Sequence, residues 1–348
     1  YQLWLDGVYT GQSVAGTGSP IGCGLQTQAG TYTILGIKPC DSTMMLGNAV
    51  IVVNALPFAY SVTGGGNVCT GDAGVPVGLE HSDAGTIYLL LHNGNPSGDT
   101  LPGTGAALSF GNQVMAGTYT IKGISGAGCM NMMDGSATIT VNPLPIPYSV
   151  SGGGGYCTGL PGVQINLTNS QNGVDYELIL DGSPTGIVLS GNGQPLTFTG
   201  VMAAGTYTIQ GVITVTSCSN MMLGSVTVEV YPLPTVTFTA VPPFCFNDAP
   251  AVINTGSPSG GIFSGNGISG GNMFDPAQAG VGIHNITYTY TDSNGCVETA
   301  IQSIDVVPSP AIFTVTGGGT YCPTDPAPVI GLDGSEVGGT YELYTGGN

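Results

Sequence analysis

The sequence repeats itself, and the repeat sets what it can fold into. Gly-Thr-Tyr-Thr-Ile occurs at 30–34, 117–121 and 205–209. Thirty-one residues before each of its tyrosines stands another, giving the pairs Tyr1 and Tyr32, Tyr88 and Tyr119, Tyr176 and Tyr207. Nineteen residues before the upstream tyrosine stands a cysteine: Cys69, Cys157 and, before Tyr341, Cys322. Downstream come a second cysteine and a methionine pair: Cys40 with Met44 and Met45, Cys129 with Met132 and Met133, Cys218 with Met221 and Met222. Proline clusters close the units at Leu56-Pro57, Pro143-Leu144-Pro145 and Pro232-Leu233-Pro234. A period of about 88 residues reads as one structural unit per repeat. The division is 1–57, the C-terminal part of a repeat; 58–145 and 146–234, complete; 235–310, shorter and of a different subtype; and 311–348, the N-terminal part of a repeat. Because Tyr1-Gln-Leu-Trp matches Tyr341-Glu-Leu-Tyr, the chain is expected to be a window on a longer array.

Within 146–234, strands are expected at 146–151, 163–167, 174–180, 185–189, 196–199, 206–213 and 225–230. Asp181-Gly182 reads as a hairpin turn, and Gly152–Gly155 and Gly191-Asn-Gly193 as turns. Seven short strands with regular turn signals predict an all-β fold of tandem immunoglobulin-like sandwiches, with Tyr32, Tyr119 and Tyr207 in the place of a tyrosine corner. Gly and Pro, at 60 and 24 residues, approach the level of disordered sequence, but 41% of the chain is hydrophobic, which disorder does not allow.

Charge excludes partners. Lys38 and Lys122 are the only basic residues against 20 acidic ones, for a net charge of −18. Nucleic acid and anionic lipid both need Lys and Arg, so neither is a partner. No apolar run approaches the roughly 18 residues of a membrane span, so no direct insertion is expected. Nearly lacking Lys and wholly lacking Arg, the chain should resist trypsin even when unfolded.

Nine cysteines in an acidic β-array indicate an oxidising, extracellular setting. The spacing proposes disulfides Cys69–Cys129, Cys157–Cys218 and Cys245–Cys296, each tying the start of a domain to its last hairpin. Loops of about 50–60 residues make each worth roughly 3–4 kcal/mol in the loop-entropy model. Cys40 and Cys322 lack partners in the sequence, and Cys23 is left over. Aligned on Gly-Thr-Tyr, Cys23 falls where the next repeats have Phe110 and Phe198; it reads as a buried thiol, with an interchain disulfide as the alternative.

Catalytic signals are weak. His81, His92 and His284 have no nucleophile partner. Gly265–Gly270 matches GxGxxG and Gly267–Gly271 matches GxSxG, but neither opens a helix, as both mechanisms require. No catalytic residues and no enzyme activity are expected. Asp292-Ser-Asn294-Gly resembles the start of a calcium loop without its downstream ligands, and a plain turn is the stronger reading. No metal site or cofactor is assigned, with a structural calcium ion between acidic domains as the one exception considered. The methionine pairs read as gap fillers, not soft-metal ligands. Asn166-Leu-Thr168 and Asn285-Ile-Thr287 fit the N-glycan pattern.

The run Ser264-Gly-Asn-Gly-Ile-Ser-Gly, Phe274-Asp-Pro-Ala and Ala279–Cys296 resembles a repeat module of Bacteroidota surface proteins, and Gly-Thr-Tyr-Thr-Ile with Thr-Val-Asn-Pro-Leu-Pro looks like its neighbouring modules. Such arrays belong to giant secreted adhesins and extracellular fibres of the type IX secretion kind. The resemblance implies surface anchoring, Ig-like or PKD-like repeats and O-glycans at Asp-Ser/Thr sites, here Thr100 and, less well fitted, Ser42. The expected function is a non-catalytic, disulfide-stapled rod or filament on the cell surface. Its partners would be like chains or further repeats. A multivalent adhesin for glycans or surfaces is the alternative.

Overall fold

The computed structural model describes residues 1–345 and is almost wholly β; its one helix among those residues is Pro276–Ala279. The chain forms two compact units. One is Tyr1–Ile146 together with Val212–Asn220; the other is Pro147–Gly211 together with the chain from Met221 onward.

The first unit shows the sandwich most completely over residues 58–145. Val62–Gly64, Val75–Leu79 and Leu108–Gln113 make one three-stranded sheet, with Val75–Leu79 central. The facing sheet runs Asn95–Pro102, Ile87–His92, Gly117–Ile124, Ala137–Asn142 and Gly66–Cys69, with Met130–Met132 hairpinned onto Gly117–Ile124. All these pairings are antiparallel except the last: Gly66–Cys69 lies parallel to the closing strand Ala137–Asn142. The opening segment thus contributes to both sheets, as in immunoglobulin-like sandwiches. Alternating residues of Gly117–Ile124 point inward, placing Tyr119 and Ile121 in a core with Val77, Leu79, Tyr88, Leu90 and Ile139.

In the second unit the strand order recurs. Val150–Gly152, Val163–Leu167 and Leu196–Val201 form one sheet, and Gly154–Cys157 again lies parallel to the closing strand Val226–Tyr231. Six of the seven expected strands of this repeat are present, while of 146–151 only Val150 and Ser151 are strand. Two more were not anticipated, Gly154–Cys157 and Ser219–Met221. Glycine masked the first. Gly152 and Gly153 have φ of 97° and 71°, and they carry the chain from one sheet to the other instead of reversing it. A Cβ on Gly153 would stand 2.6 Å from the Thr227 carbonyl oxygen, so a side chain is excluded there. Residues 235–310 build a smaller sandwich around Phe263, Phe274, Ile286, Tyr288 and Ile304, with Phe244–Cys245 parallel to the long closing strand Val297–Val307.

The repeated motifs are explained by three local devices. Asp6-Gly7, Asn93-Gly94 and Asp181-Gly182 turn with positive φ at both positions, the conformation that suits a two-residue hairpin. In each, the first side chain reaches across and its Oδ1 accepts from the threonine N–H of Gly-Thr-Tyr: Thr31 at 2.8 Å, Thr118 at 3.0 Å, Thr206 at 2.9 Å. The preceding glycine lies so close to that turn that a Cβ on Gly205 would be 2.4 Å from Leu180 Cδ1 and 2.6 Å from Asp181 Oδ2. Next, the motif tyrosine folds back: the hydroxyls of Tyr32, Tyr119 and Tyr207 donate to the carbonyls of Gln28, Met115 and Ala203 four residues upstream, at 2.9, 3.1 and 3.0 Å. This is the tyrosine corner. Finally, the upstream tyrosine accepts through its hydroxyl: Tyr88 from Asp83 N–H and Tyr176 from Gln171 N–H, both at 2.9 Å.

Two tests follow from these contacts. Gly205→Ala forces a side chain into positive φ and into the hairpin turn, and should destabilise by about 1–3 kcal/mol in a urea melt, with the m-value unchanged. Burial raises the hydroxyl pKa of Tyr88, Tyr119, Tyr176 and Tyr207, and the Asp83 carboxylate that accepts from Tyr60 raises its pKa to about 12. Because the folded state holds these protons more tightly, their contribution is complete below the unfolded tyrosine pKa of about 10 and is lost as pH rises above it. The part of the tyrosinate absorbance that comes from these five residues should therefore rise together with loss of β circular dichroism in the alkaline range.

Candidate functional site: the cysteine junctions

The opening cysteine of each repeat ends its short parallel strand. Cys69 stands opposite Asn142, Cys157 opposite Tyr231 and Cys245 opposite Val307, each at the C-terminal end of the repeat's closing strand. Cys296 lies immediately before that strand, and Cys129 eight residues before it, ahead of Met130–Met132. By register Met130 stands opposite Ile124 and Ile139 opposite Gly117, so Cys129 and Cys69 are about 35 Å apart, as are Cys296 and Cys245 across Val297–Val307. A disulfide tolerates at most about 7 Å between Cα atoms. The expected bonds Cys69–Cys129 and Cys245–Cys296 therefore cannot form in this fold.

The bonds that do form join successive repeats. Cys69 joins Cys218, and Cys157 joins Cys296, each with Cα atoms 5.6 Å apart. The opening cysteine of one repeat is tied to the hairpin cysteine of the next, in place of the expected Cys69–Cys129, Cys157–Cys218 and Cys245–Cys296. Cys129 and Cys245, expected in disulfides, are free thiols, as are Cys23, Cys40 and Cys322. Cys69–Cys218 lies inside the first compact unit, because hairpin Val212–Asn220 belongs to it; Cys157–Cys296 lies inside the second.

Short-range hydrogen bonds hold both kinds of cysteine in place. Asp72, three residues after Cys69, accepts from its N–H at 2.8 Å through Oδ2, while Asp72 N–H donates back to the Cys69 carbonyl at 3.0 Å. Asp248 and Asp325 do the same for Cys245 and Cys322. In the sequence these three turns share the spacing Cys-x-x-Asp, which Cys157, followed by Thr-Gly-Leu160, lacks. On the hairpin side, Asp292 Oδ1 accepts from Asn294 N–H at 2.9 Å and Cys296 N–H at 2.8 Å, so the calcium-like run is a turn that presents Cys296. Ser125 Oγ accepts from Cys129 N–H at 3.2 Å in the equivalent turn. The hairpins also grip the proline linkers: Asn131 Nδ2 donates to the Pro57 carbonyl and Asn220 Nδ2 to the Pro145 carbonyl, both at 2.9 Å.

Elsewhere the candidate residues do not converge. His81 lies tilted against Tyr60 and His92 stacks on Tyr119, with ring centroids 4.9 and 4.7 Å apart, and His284 Nε2 is 2.7 Å from the Gly280 carbonyl oxygen. Gly265–Gly271 spans the strand Ile268–Ser269 and opens no helix. Among the described residues, no three His, Cys, Asp or Glu side chains cluster as a metal site. Met133 and Met222 are buried, and their Cε atoms fill the space above Gly123 and Gly211. Cys23 is half-buried in a loop instead of buried in a core, because no second sheet covers residues 1–57. Ser42 and Thr100 are both exposed on strands.

No family model matches the sequence, and comparison with curated proteins finds no match. Solved structures resemble the fold. One is a Ca2+-stabilized adhesin that helps an Antarctic bacterium reach out and bind ice, at TM-score 0.36 and 16% identity over 81% of this chain and 82% of that one. Another is the N-terminal eight Ig domains of Down Syndrome Cell Adhesion Molecule, at TM-score 0.34 and 15% identity over 88% of this chain and 45% of that one. A 1.5-MDa bacterial ice-binding adhesin matches at TM-score 0.30 and 12% identity over 74% of this chain and 100% of that one. Similarity at this level carries no conclusion about function. Among the described residues, no helix is long and apolar enough to cross a membrane.

Non-reducing peptide mapping should recover Cys69–Cys218 and Cys157–Cys296, and no Cys69–Cys129 peptide. A loop of 149 residues is worth about 5 kcal/mol in the loop-entropy model, so Cys69→Ser should lower the stability measured by denaturant by up to that amount.

Proposed function

We propose that this chain is a non-catalytic structural repeat protein of the extracellular cell surface. It would form a disulfide-stapled rod or filament from repeats 1–57, 58–145, 146–234, 235–310 and 311–348. The observation that carries the reading is the disulfide register, in which each bond found ties one sequence repeat to the next. Such bonds persist outside the reducing cytosol. Their value is mechanical: they fasten successive repeats, while the proline linkers restrict backbone freedom between them.

A Bacteroidota origin, type IX secretion and O-glycans on Thr100 and Ser42 belong to the same proposal and rest on the module-like run Ser264–Cys296. A structural calcium ion has no support from Asp292, whose Oδ1 is engaged within its turn. The alternative is a multivalent adhesin. It is favoured by an open groove of about 480 Å3 in repeat 58–145, where His92, Asn93, Asn95, Asp99, Asn112 and Gln113 offer the amide and carboxylate groups that suit sugar hydroxyls.

Electron microscopy of material shed from cells tests the proposal. Filaments of constant width, with an axial period of about four domains, are the expected result. Thin single-chain strings with irregular bends would overturn the filament and leave the adhesin.

A further inference from the structure

Sandwiches 58–145 and 146–234 share their strands but not the outer face of the larger sheet. In 58–145, Tyr88, Leu90, Tyr119 and Ile121 point into the core, so the residues between them point outward. Cross-strand pairing then sets Ile87 beside Ile124 and Met130 in one row, and Leu89 beside Lys122 and Met132 in the next. A third row holds Leu91 and Thr120. Ile87, Met130 and Met132 are 51%, 57% and 42% exposed. With the edge strand Asn95–Pro102, four strands and three rows cover on the order of 400 Å2, the size of the largest apolar patch on an ordinary monomer. Lys122 stands in the middle row, and its cross-strand neighbours, Leu89 and Met132, cannot neutralise it.

One repeat on, the same places carry different chemistry. Asp175, Glu177 and Gln210 stand where 58–145 has Ile87, Leu89 and Lys122. Tyr176 and Leu178 are fully buried, so Asp175 and Glu177 point outward, paired in register with Ser190 and Val188. Hydrogen bonds fix both carboxylates on the face. Asp175 Oδ1 accepts from Ser190 Oγ at 2.7 Å, and Glu177 Oε1 accepts from Gly186 N–H at 3.0 Å. Val188, 45% exposed beside Glu177, adds apolar surface.

We propose that the Lys122 face of one copy docks on the Glu177 face of a second copy, with Lys122 paired to Glu177, each in the middle row of its sheet. Charge selects this contact. The chain carries −18, with only Lys38 and Lys122 basic, so most approaches between copies are repulsive. Two Lys122 faces would set lysine against lysine, and two Glu177 faces would bring four carboxylates together. The unlike pair sets opposite charges against each other among apolar side chains, where screening is weakest. Lys38 is no substitute, because it sits at a hairpin end opposite Asp41. The face has about half the area that each partner gives to a standard interface, so a single contact is weak. Each copy carries one face of each kind, so the contact is heterologous and extends from copy to copy. Thr100 borders the Lys122 face beside Leu89, so an O-glycan there would compete with docking.

The docking rests on the structural-filament reading, from which it takes a like chain as the partner. The test is sedimentation velocity over a concentration series, on the full chain made without glycosylation and with its free thiols alkylated. Association with a Kd on the order of 10–500 µM is expected. It should weaken about threefold or more between roughly 0.05 and 0.5 M salt. Lys122→Glu and Glu177→Lys should each weaken it about tenfold or more. The double variant, in which the two charges are exchanged, should recover it to within about threefold. Lys38→Glu changes the net charge as much as Lys122→Glu does, and should leave association within about twofold. Peptide maps showing Cys69–Cys218 and Cys157–Cys296 verify that each variant has folded. A chain that stays monomeric to about 1 mM would overturn the docking. So would equal effects of K38E and K122E, or a double variant as weak as the single ones. If the docking fails in these ways while shed material still shows filaments, the structural reading stands without it. Association with the expected charge pattern, in a chain shed only as single strings, would uphold the docking and overturn the filament.

Discussion

The arrangement depends on one parallel strand pairing. In each sandwich the opening segment leaves the first sheet, crosses at glycine in repeats 58–145 and 146–234 and at Pro242-Pro243 in 235–310, and runs alongside the closing strand in the same direction. That direction carries the opening cysteine to the end of the repeat where the chain departs, and away from the hairpin where the second cysteine sits. An antiparallel pairing would have brought the two cysteines of one repeat together. The parallel one separates them by the length of the closing strand, so the thiol meets the hairpin of the following repeat instead. At Cys69, Cys245 and Cys322 a Cys-x-x-Asp turn fixes its position, the aspartate carboxylate satisfying the cysteine N–H where the ladder ends, whereas at Cys157 the turn closes through Leu160 N–H on the Cys157 carbonyl.

The bonds interleave, and this changes what tension can do to the chain. Cys157 lies within the loop closed by Cys69–Cys218, and Cys218 lies within the loop closed by Cys157–Cys296. If every sandwich unfolded, the shortest covalent route from Cys69 to Cys296 would cross only about 60 residues, close to 200 Å extended, in place of about 230 residues and 800 Å. Disulfides confined to single repeats would have left the linkers as the weak points. Interleaved ones place a covalent route in parallel with each linker they span. Hydrogen bonds from Asn131 and Asn220 to the linker carbonyls add a local restraint on the same segments.

Much of the sandwich was readable in the sequence. Asp181-Gly182 is the hairpin its dipeptide announced, Tyr32, Tyr119 and Tyr207 make the tyrosine corner, and the apolar alternation in Gly117–Ile124 matches its burial. These succeed because each depends on a few adjacent residues. Gly154–Cys157 was missed because glycine carries no side-chain pattern to read, and the pairing of the cysteines depended on that strand. Asp292-Ser-Asn294-Gly is the plain turn that its missing downstream ligands indicated, with Asp292 Oδ1 receiving two N–H groups. Cys23 was aligned to the core places of Phe110 and Phe198, but burial there requires a covering sheet that residues 1–57 do not include.

By itself the sequence determined the period, the all-β sandwich, the turn and corner chemistry, and the net charge of −18. These follow from local propensity, spacing and summed charge, which are additive along the chain. Tertiary structure alone decided which cysteines meet. Two thiols bond only when their Cα atoms come within a few ångströms, and that distance is set by strand direction, which no count of residues between cysteines contains.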